Sequence, residues 1–385
     1  MRAGTRHRHS RAMALHPGLL PPPATTAPVR RPTARGQAAR RAPGGGRGGR
    51  RAARLLVSAA LATGIVAVAL PRVAGARWDD IAHALASVSL AQLVLLGLVW
   101  LAGLWVHTPA LTAALPGLSH RRALLLNLTG SFVSNLLPLG GAAGTVANWR
   151  MARSWGFASP AFARWALVTN LFDTALKLAL PGVALLWLAA AGLGTGGTVG
   201  TAAYVGLGLL TAVVLGAWLV ARDDRAVTWA GRCADRVGAR FLVLRPPPEG
   251  YAARAAAFRR DSAALVAAGW GRMAAGKLAY AFLQAALLWL SLRVLGSWVS
   301  PAVVLAAFAV ERILSMVVIT PGATGVVEVG MTGVLAALGV DPTAAAAGVL
   351  LYRAFTFGME IPVGGLSMLA WSVRGRGRLE APTLG

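Results

Sequence analysis

Residues 302–328 read AVVLAAFAVERILSMVVITPGATGVVE. The segment Ala302–Thr320 is apolar enough for a bilayer, yet Glu311-Arg312 sits at its middle. It runs into the break Pro321-Gly322-Ala323-Thr324-Gly325, with Glu328 just beyond. Irregular backbone at membrane depth is tolerated only where protein or water satisfies the freed N–H and C=O groups. A second stretch of this kind lies upstream: Asn135-Leu136-Leu137-Pro138-Leu139-Gly140-Gly141-Ala142-Ala143-Gly144, followed by Arg150 and Arg153. Two such breaks, at corresponding places in two halves of a membrane chain, point to a polar site at the repeat interface.

The rest of the chain fits a membrane setting. Of 385 residues, 56% are hydrophobic and 13% charged, with a mean hydropathy of +0.61. A soluble domain carries about 25% charge. Crossing a bilayer takes about 20 apolar residues, and six segments qualify: Leu55–Leu70, Leu90–Leu115, Ala161–Leu193, Thr201–Val220, Met273–Leu295 and Thr343–Trp371. Trp78–Val88 reads as a short interfacial helix with Ile81, Leu85 and Val88 on one side.

A net charge of +25 suggests nucleic acid, but its location argues otherwise. Thirteen arginines and no acid fall in residues 1–54, a Pro/Gly/Ala-rich tail too poor in apolar residues to bury a core. No aromatic residues interleave with its arginines, as stacking on bases requires. Beside a membrane span, such a tail is a contact for anionic lipid and a topology determinant. Cys233 is the only cysteine, which excludes an intrachain disulfide and a Cys-based metal site. The six histidines form no H-E-x-x-H pattern, and neither a Walker lysine nor a G-x-S-x-G elbow occurs. No cofactor and no metal are expected.

Loop charges set the orientation. The N-terminal tail, His120-Arg121-Arg122, the loop 221–272 with ten arginines against five acids, and Arg374, Arg376 and Arg378 all favour the cytoplasm. Those constraints agree only if Ala123–Leu139 and Ala302–Thr320 are re-entrant, the first from the cytoplasm and the second from outside. The expectation is an all-α polytopic membrane protein with six spanning helices and two re-entrant segments in an inverted repeat. Residues 1–54 form a disordered cytoplasmic tail and 55–371 the transmembrane domain. Its halves, 90–220 and 273–371, are joined by 221–272, whose helical stretch Ala252–Ala267 lies on the membrane surface. Residues 372–385 are a second cytoplasmic tail.

Several charges fall within these spans, where each costs about 2.5–3.5 kcal/mol on insertion scales and is a functional candidate by default. The only lysines are Lys177 and Lys277. Asp173 and Lys177 are four apart and can pair on one helix face, either tying helices together or serving a site. Lys277, at the edge of its span, is read as snorkelling to the interface. Arg353 and Glu360, seven apart, share a face of the last span. Glu311, Arg312, Glu328 and Arg353 flank the second break, more charge than packing requires. At the first, Gly140, Gly141 and Gly144 after Pro138 form a loop whose bare N–H groups favour an anion. Asn135, Thr145, Asn148 and Arg150 surround it with polar groups.

The pattern resembles the integral membrane proteins related to the transmembrane (flippase) region of lysylphosphatidylglycerol synthases. The resemblance rests on residues 135–141 with Arg150, on Asp173, on residues 321–328, and on Tyr352-Arg353, and covers about residues 55–371. The chain departs from it at Thr169-Asn170, where a Glu-Arg pair is expected, and at Ala142-Ala143. Full-length synthases of this kind add a soluble aminoacyl-transfer domain. Only fourteen residues follow Trp371 here, so aminoacyl transfer is not expected of this chain.

Together these readings imply a bacterial inner-membrane protein with cytoplasmic termini that binds an anionic lipid or lipid-linked anion and moves it between leaflets. The expected path comprises Asn135, Pro138, Gly140, Gly141, Gly144, Arg150, Asp173, Lys177, Glu311, Arg312, Pro321, Gly322, Gly325, Glu328, Tyr352 and Arg353. Two alternatives stay open. A membrane transferase could use Glu311 and Glu328 as acid and base, and an accessory subunit could serve another envelope enzyme. The sequence leaves the particular lipid, the energy source and the oligomeric state open.

Overall fold

The structure, a computed structural model, describes residues 60–61, 63–137, 140–193, 250–316 and 320–379, with isolated positions between 208 and 232. These residues belong to one compact unit, Arg51–Gly385. Every regular element among the described residues is helical. The helices are α1 (Thr63–Ala74), α2 (Trp78–Ala86), α3 (Leu90–Ala114), α4 (His120–Leu136), α5 (Gly140–Ser154) and α6 (Ser159–Ala190). They continue with α7 (Gly250–Val294), α8 (Pro301–Leu314), α9 (Val326–Ala337), α10 (Pro342–Arg353) and α11 (Glu360–Leu379). A 3₁₀ turn, Pro321–Ala323, precedes α9, and a π-helical segment, Ala354–Gly358, joins α10 to α11.

Among the described residues, four helical runs are long and apolar enough to cross a membrane: α3, α6, Ala252–Val294 of α7, and Pro342–Val373 through α10 and α11. They coincide with four of the six expected spans. Of Leu55–Leu70, residues 63–70 belong to the short apolar helix α1. Thr201–Val220 lies outside the described residues apart from isolated positions, as do the tail 1–54 and most of the loop 221–249.

Local chemistry accounts for where the helices begin. The Ser89 hydroxyl accepts from the backbone N–H of Gln92, whose side chain accepts from Ser89 N–H in return. Ser300 and Asp341 cap α8 and α10 in the same sense, each followed by a proline whose missing N–H costs nothing in the first turn. Small residues then allow close helix contact, as is usual in lipid. A Cβ on Gly276 of α7 would lie 2.9 Å from Ala110 of α3.

The fold departs from expectation in two places. The stretch Ala252–Ala267 is not a separate surface helix but the first part of α7, which runs unbroken over 45 residues. At 1.5 Å per residue that is about 67 Å. Gly269 and Gly271 between the two parts weaken a helix by only about 1 kcal/mol each, which the Ala-rich flanks absorb. Arg164 at the start of α6 pairs with Asp261 of α7 at 2.9 Å and holds the extension. The second departure is α2, whose apolar side faces protein. Ile81 is fully buried with Leu70, Ala346 and Ala347, and Leu85 and Val88 pack on the main core.

The order long helix, broken pair, long helix occurs twice. It runs α3, α4/α5, α6, and again α7, α8/α9, α10–α11. Each pair folds back on itself around one of the two Gly/Pro breaks. The main core, with Leu104, Leu288, Phe308, Val327 and Met331, draws on both halves. It brings α8, α9 and α10 together, and α4 packs on both α11 and the 3₁₀ turn.

Candidate functional site

Two constraints shape the second break. Gly322, Ala323 and Gly325 all have positive φ, at 58°, 54° and 91°. For Ala323 that conformation is strained and persists only where its surroundings impose it. Gly325 directs its N–H at Glu328 Oε2, 2.5 Å away, so the carboxylate caps the start of α9. Glu328 is thereby held buried, with its other oxygen facing α10.

Arg353, the last residue of α10, joins these parts. Its Nε donates to Glu328 Oε1 at 2.7 Å, its Nη2 donates to the Gly322 carbonyl at 3.0 Å, and its Nη1 lies 4.0 Å from Glu311 Oε1. Glu311 also accepts from the Tyr352 hydroxyl at 2.8 Å and from the neighbouring Arg312 guanidinium. Tyr352 is fully buried. Arg312 reaches on to Gln284 Oε1 of α7 at 3.2 Å, and Gln284 donates to the Tyr280 hydroxyl at 2.9 Å. The Tyr280 ring stacks on His107 of α3, with centroids 4.5 Å apart. Neither nitrogen of His107 has a hydrogen-bond partner among the described residues.

The first break meets the second here. Asn135, at the end of α4, donates to Glu360 Oε2 at 3.4 Å, and Ser131 lies beside the same carboxylate. A Cβ on Gly322 would come within 3.3 Å of Asn135 Oδ1 and would overlap the Phe357 ring. Both breaks and the last span therefore converge on one buried polar cluster. Its three carboxylates, Glu311, Glu328 and Glu360, face two guanidiniums, Arg312 and Arg353.

Several expected residues occupy different settings. Asp173 does not pair with Lys177; it accepts from Lys277 Nζ of α7 at 2.6 Å. Lys277 is 4% exposed and therefore does not snorkel. The cross-helix partner wins because Lys277 is buried while Lys177 is only partly so, and the more deeply buried ammonium loses most when left unpaired. Lys177 makes no ion pair among the described residues, although Asp173, Lys277, Glu311 and Arg312 are all within its electrostatic reach. Arg353 and Glu360 do not share a face. The intervening π segment under-rotates the chain, sending Arg353 towards α8 and α9 and Glu360 towards α4.

The glycines of the first break are not an open loop either. Residues 140–144 form the first turn of α5, where Gly140 packs on the Ser134 backbone and Gly144 on Ser134 Oγ and the Gly130 carbonyl. A side chain at either position would push α4 and α5 apart. Gly141 is open to its surroundings, and Arg150 is exposed on α5. Pro138 lies outside the described residues, and Pro321 starts the 3₁₀ turn.

The sequence marked Glu360 as an intramembrane charge outside the expected path, and gave no prominence to Gln284, Tyr280 and His107. A signal existed in α7, where Lys277, Tyr280 and Gln284 recur at helical spacing on one side of an apolar helix. Among the described residues no group of three or more His, Cys, Asp or Glu side chains could hold a metal ion. Chemically, the cluster is a water-poor set of fixed charges and hydrogen-bond donors that can replace the hydration of a polar group.

Residues 53–364 match the family model described as the lysylphosphatidylglycerol synthase TM region. A helical membrane chain with paired breaks around a charged centre is the class this architecture defines. The chain belongs to that family and is a multi-pass membrane protein. The comparison with curated proteins finds no match.

Proposed function

We propose that this protein binds an anionic phospholipid or lipid-linked anion and carries its headgroup between leaflets through the polar cluster. The observation that carries the reading is the gathering of the second break on Arg353, beside the contact of the first break with Glu360. One side chain bonds Glu328 and the carbonyl of Gly322 and approaches Glu311, beside the Asn135–Glu360 contact. A headgroup stripped of water needs such prearranged partners, because an unpaired charge in hydrocarbon costs several kcal/mol.

In this reading the broken pairs α4/α5 and α8/α9 are re-entrant from opposite faces and the halves form an inverted repeat with six spans. The chain sits in a bacterial inner membrane with both termini in the cytoplasm. The basic loops support that orientation. Acid/base transfer chemistry is less favoured, since Glu311 and Glu328 are both engaged by arginine.

The test is reconstitution of the purified full chain in proteoliposomes with labelled phosphatidylglycerol, following loss of leaflet asymmetry. Wild-type protein is expected to transport, and the Glu328→Gln and Arg353→Ala variants are expected not to. Transport that survives both substitutions overturns the role of the cluster. A chemically new lipid species found by mass spectrometry would replace translocation with transfer.

A further inference from the structure

An apolar groove of about 460 Å³ runs along one side of the molecule between α6, α7 and α8. Leu176, Leu180, Val183 and Trp187 line it on α6, at the spacing of a single helix stripe. Ala281, Ala285 and Trp289 line it on α7, and Val304, Leu305 and Phe308 on α8. Its rim faces outward: Leu278 is 58% exposed and Phe282 71%. From Leu176 to Trp187 the stripe covers twelve residues, a rise of about 16 Å at 1.5 Å per residue. That is about half the thickness of a bilayer's hydrocarbon core, or one leaflet.

The end of the groove at Leu176 and Leu278 carries charge. Asp173 stands one turn before Leu176 on the same stripe and is bonded to Lys277. Lys177 flanks the stripe and has no ion-pair partner among the described residues. With Glu311 and Arg312 also within reach, three cations stand against two carboxylates and leave this end one positive charge in excess. Pro181, which has no N–H, also leaves the Lys177 carbonyl without its helical donor, so a headgroup hydroxyl has an acceptor there. Past the same end, Phe308 forms the wall between groove and polar cluster, with the Arg312 guanidinium 4.8 Å over its ring. The opposite end is closed by Trp187 and Trp289.

We infer that this groove is the lateral docking site of one anionic phospholipid, its acyl chain along α6, α7 and α8 and its phosphate on Lys177. Only the step after docking rests on the proposed translocation, since a resident lipid would occupy the groove in the same way. Charge complementarity selects the occupant: an uncharged lipid would leave Lys177 uncompensated, and an apolar peptide helix would as well. The groove's width also suits a single chain, because alanines rather than large side chains form its floor on α7.

The test uses the full chain in phosphatidylcholine nanodiscs carrying a trace of phosphatidylglycerol with a mid-chain photoreactive diazirine. Adducts are located by mass spectrometry, beside a diacylglycerol probe with the same chain. Labelling by phosphatidylglycerol is expected to concentrate on residues 180–187 and 281–289. Lys177→Gln is expected to reduce it about tenfold, the effect of one lost charge-assisted contact, without changing the diacylglycerol signal. Ala285→Trp, which fills the groove, should abolish both. Adducts spread evenly over the exposed faces of α3 and α11, or equal labelling in Lys177→Gln, would overturn the assignment. The Glu328→Gln variant separates the two readings. Groove labelling that persists there while transport is lost supports docking and translocation together. Groove labelling by a wild type that never transports supports docking alone. Transport without groove labelling removes the groove and leaves translocation standing.

Discussion

Arg353 shows how one side chain can hold a break in place. A guanidinium offers five donors in a rigid fork, so it can bond Glu328 and the Gly322 carbonyl while facing Glu311. Arg353→Ala would leave two buried carboxylates short of a partner, and stability should fall by about 3–5 kcal/mol, read as a lower melting temperature in detergent. Arg353→Lys keeps the charge without the fork; it should retain most of the stability and lose transport. A melt unchanged in Arg353→Ala would refute the bridging role. The Asp173–Lys277 pair makes a separate prediction. Lys277→Met strands a carboxylate in apolar surroundings, and Asp173→Leu in the same chain should recover much of the loss. A double-mutant cycle should give a coupling of about 0.5–3 kcal/mol; strictly additive losses would show that the pair does not form.

Helices in this protein are positioned by their irregular parts as much as by their regular ones. The π segment Ala354–Gly358 separates the directions of Arg353 and Glu360, which an unbroken α-helix would place nearly one above the other. Inserting one alanine between Gly358 and Met359 should turn Glu360 by about 100° relative to Arg353, disconnecting it from Asn135. Membrane insertion and expression should be normal and transport absent; an insertion variant that transports normally would show that this alignment has no function. Gly322→Ala tests the second break. The new methyl would overlap Phe357 in a backbone already at φ 58°. A loss of about 1–3 kcal/mol is expected from the strain, measured by thermal unfolding. Gly141→Ala, with nothing near its Cβ, is the matched control and should be close to neutral.

Two similar halves meeting at a charged centre make orientation a property of the entire chain. In a Cys233→Ser background, a cysteine at Ser297, between α7 and α8, should react with an impermeant maleimide in intact spheroplasts. One at Ala158, between α5 and α6, should react only in inverted vesicles. The reverse pattern would invert the proposed topology, and labelling of both positions from one side would rule out α6 and α7 as spans with the proposed connections.

Much of this was legible in order along the chain. Low charge and long apolar runs announced a helical membrane protein, and two Gly/Pro breaks with flanking charge marked where polar chemistry would gather. Glu311, Arg312, Glu328 and Arg353 were readable because a charge in an apolar run is conspicuous without knowing its partner, whereas Tyr352 entered only with the family resemblance. Partners were not readable, because pairing depends on which helices pack side by side. Asp173 could as well have bonded Lys177 along α6 as Lys277 across to α7, and only the packing of those helices chose the second. The rotation imposed by the π segment, the meeting of Asn135 with Glu360, and the enlistment of Gln284 and Tyr280 came from the same source. The local sequence thus determined which residues had to be satisfied. The tertiary structure decided by what, since hydrogen bonds between residues as many as 225 positions apart exist only once the helices are packed.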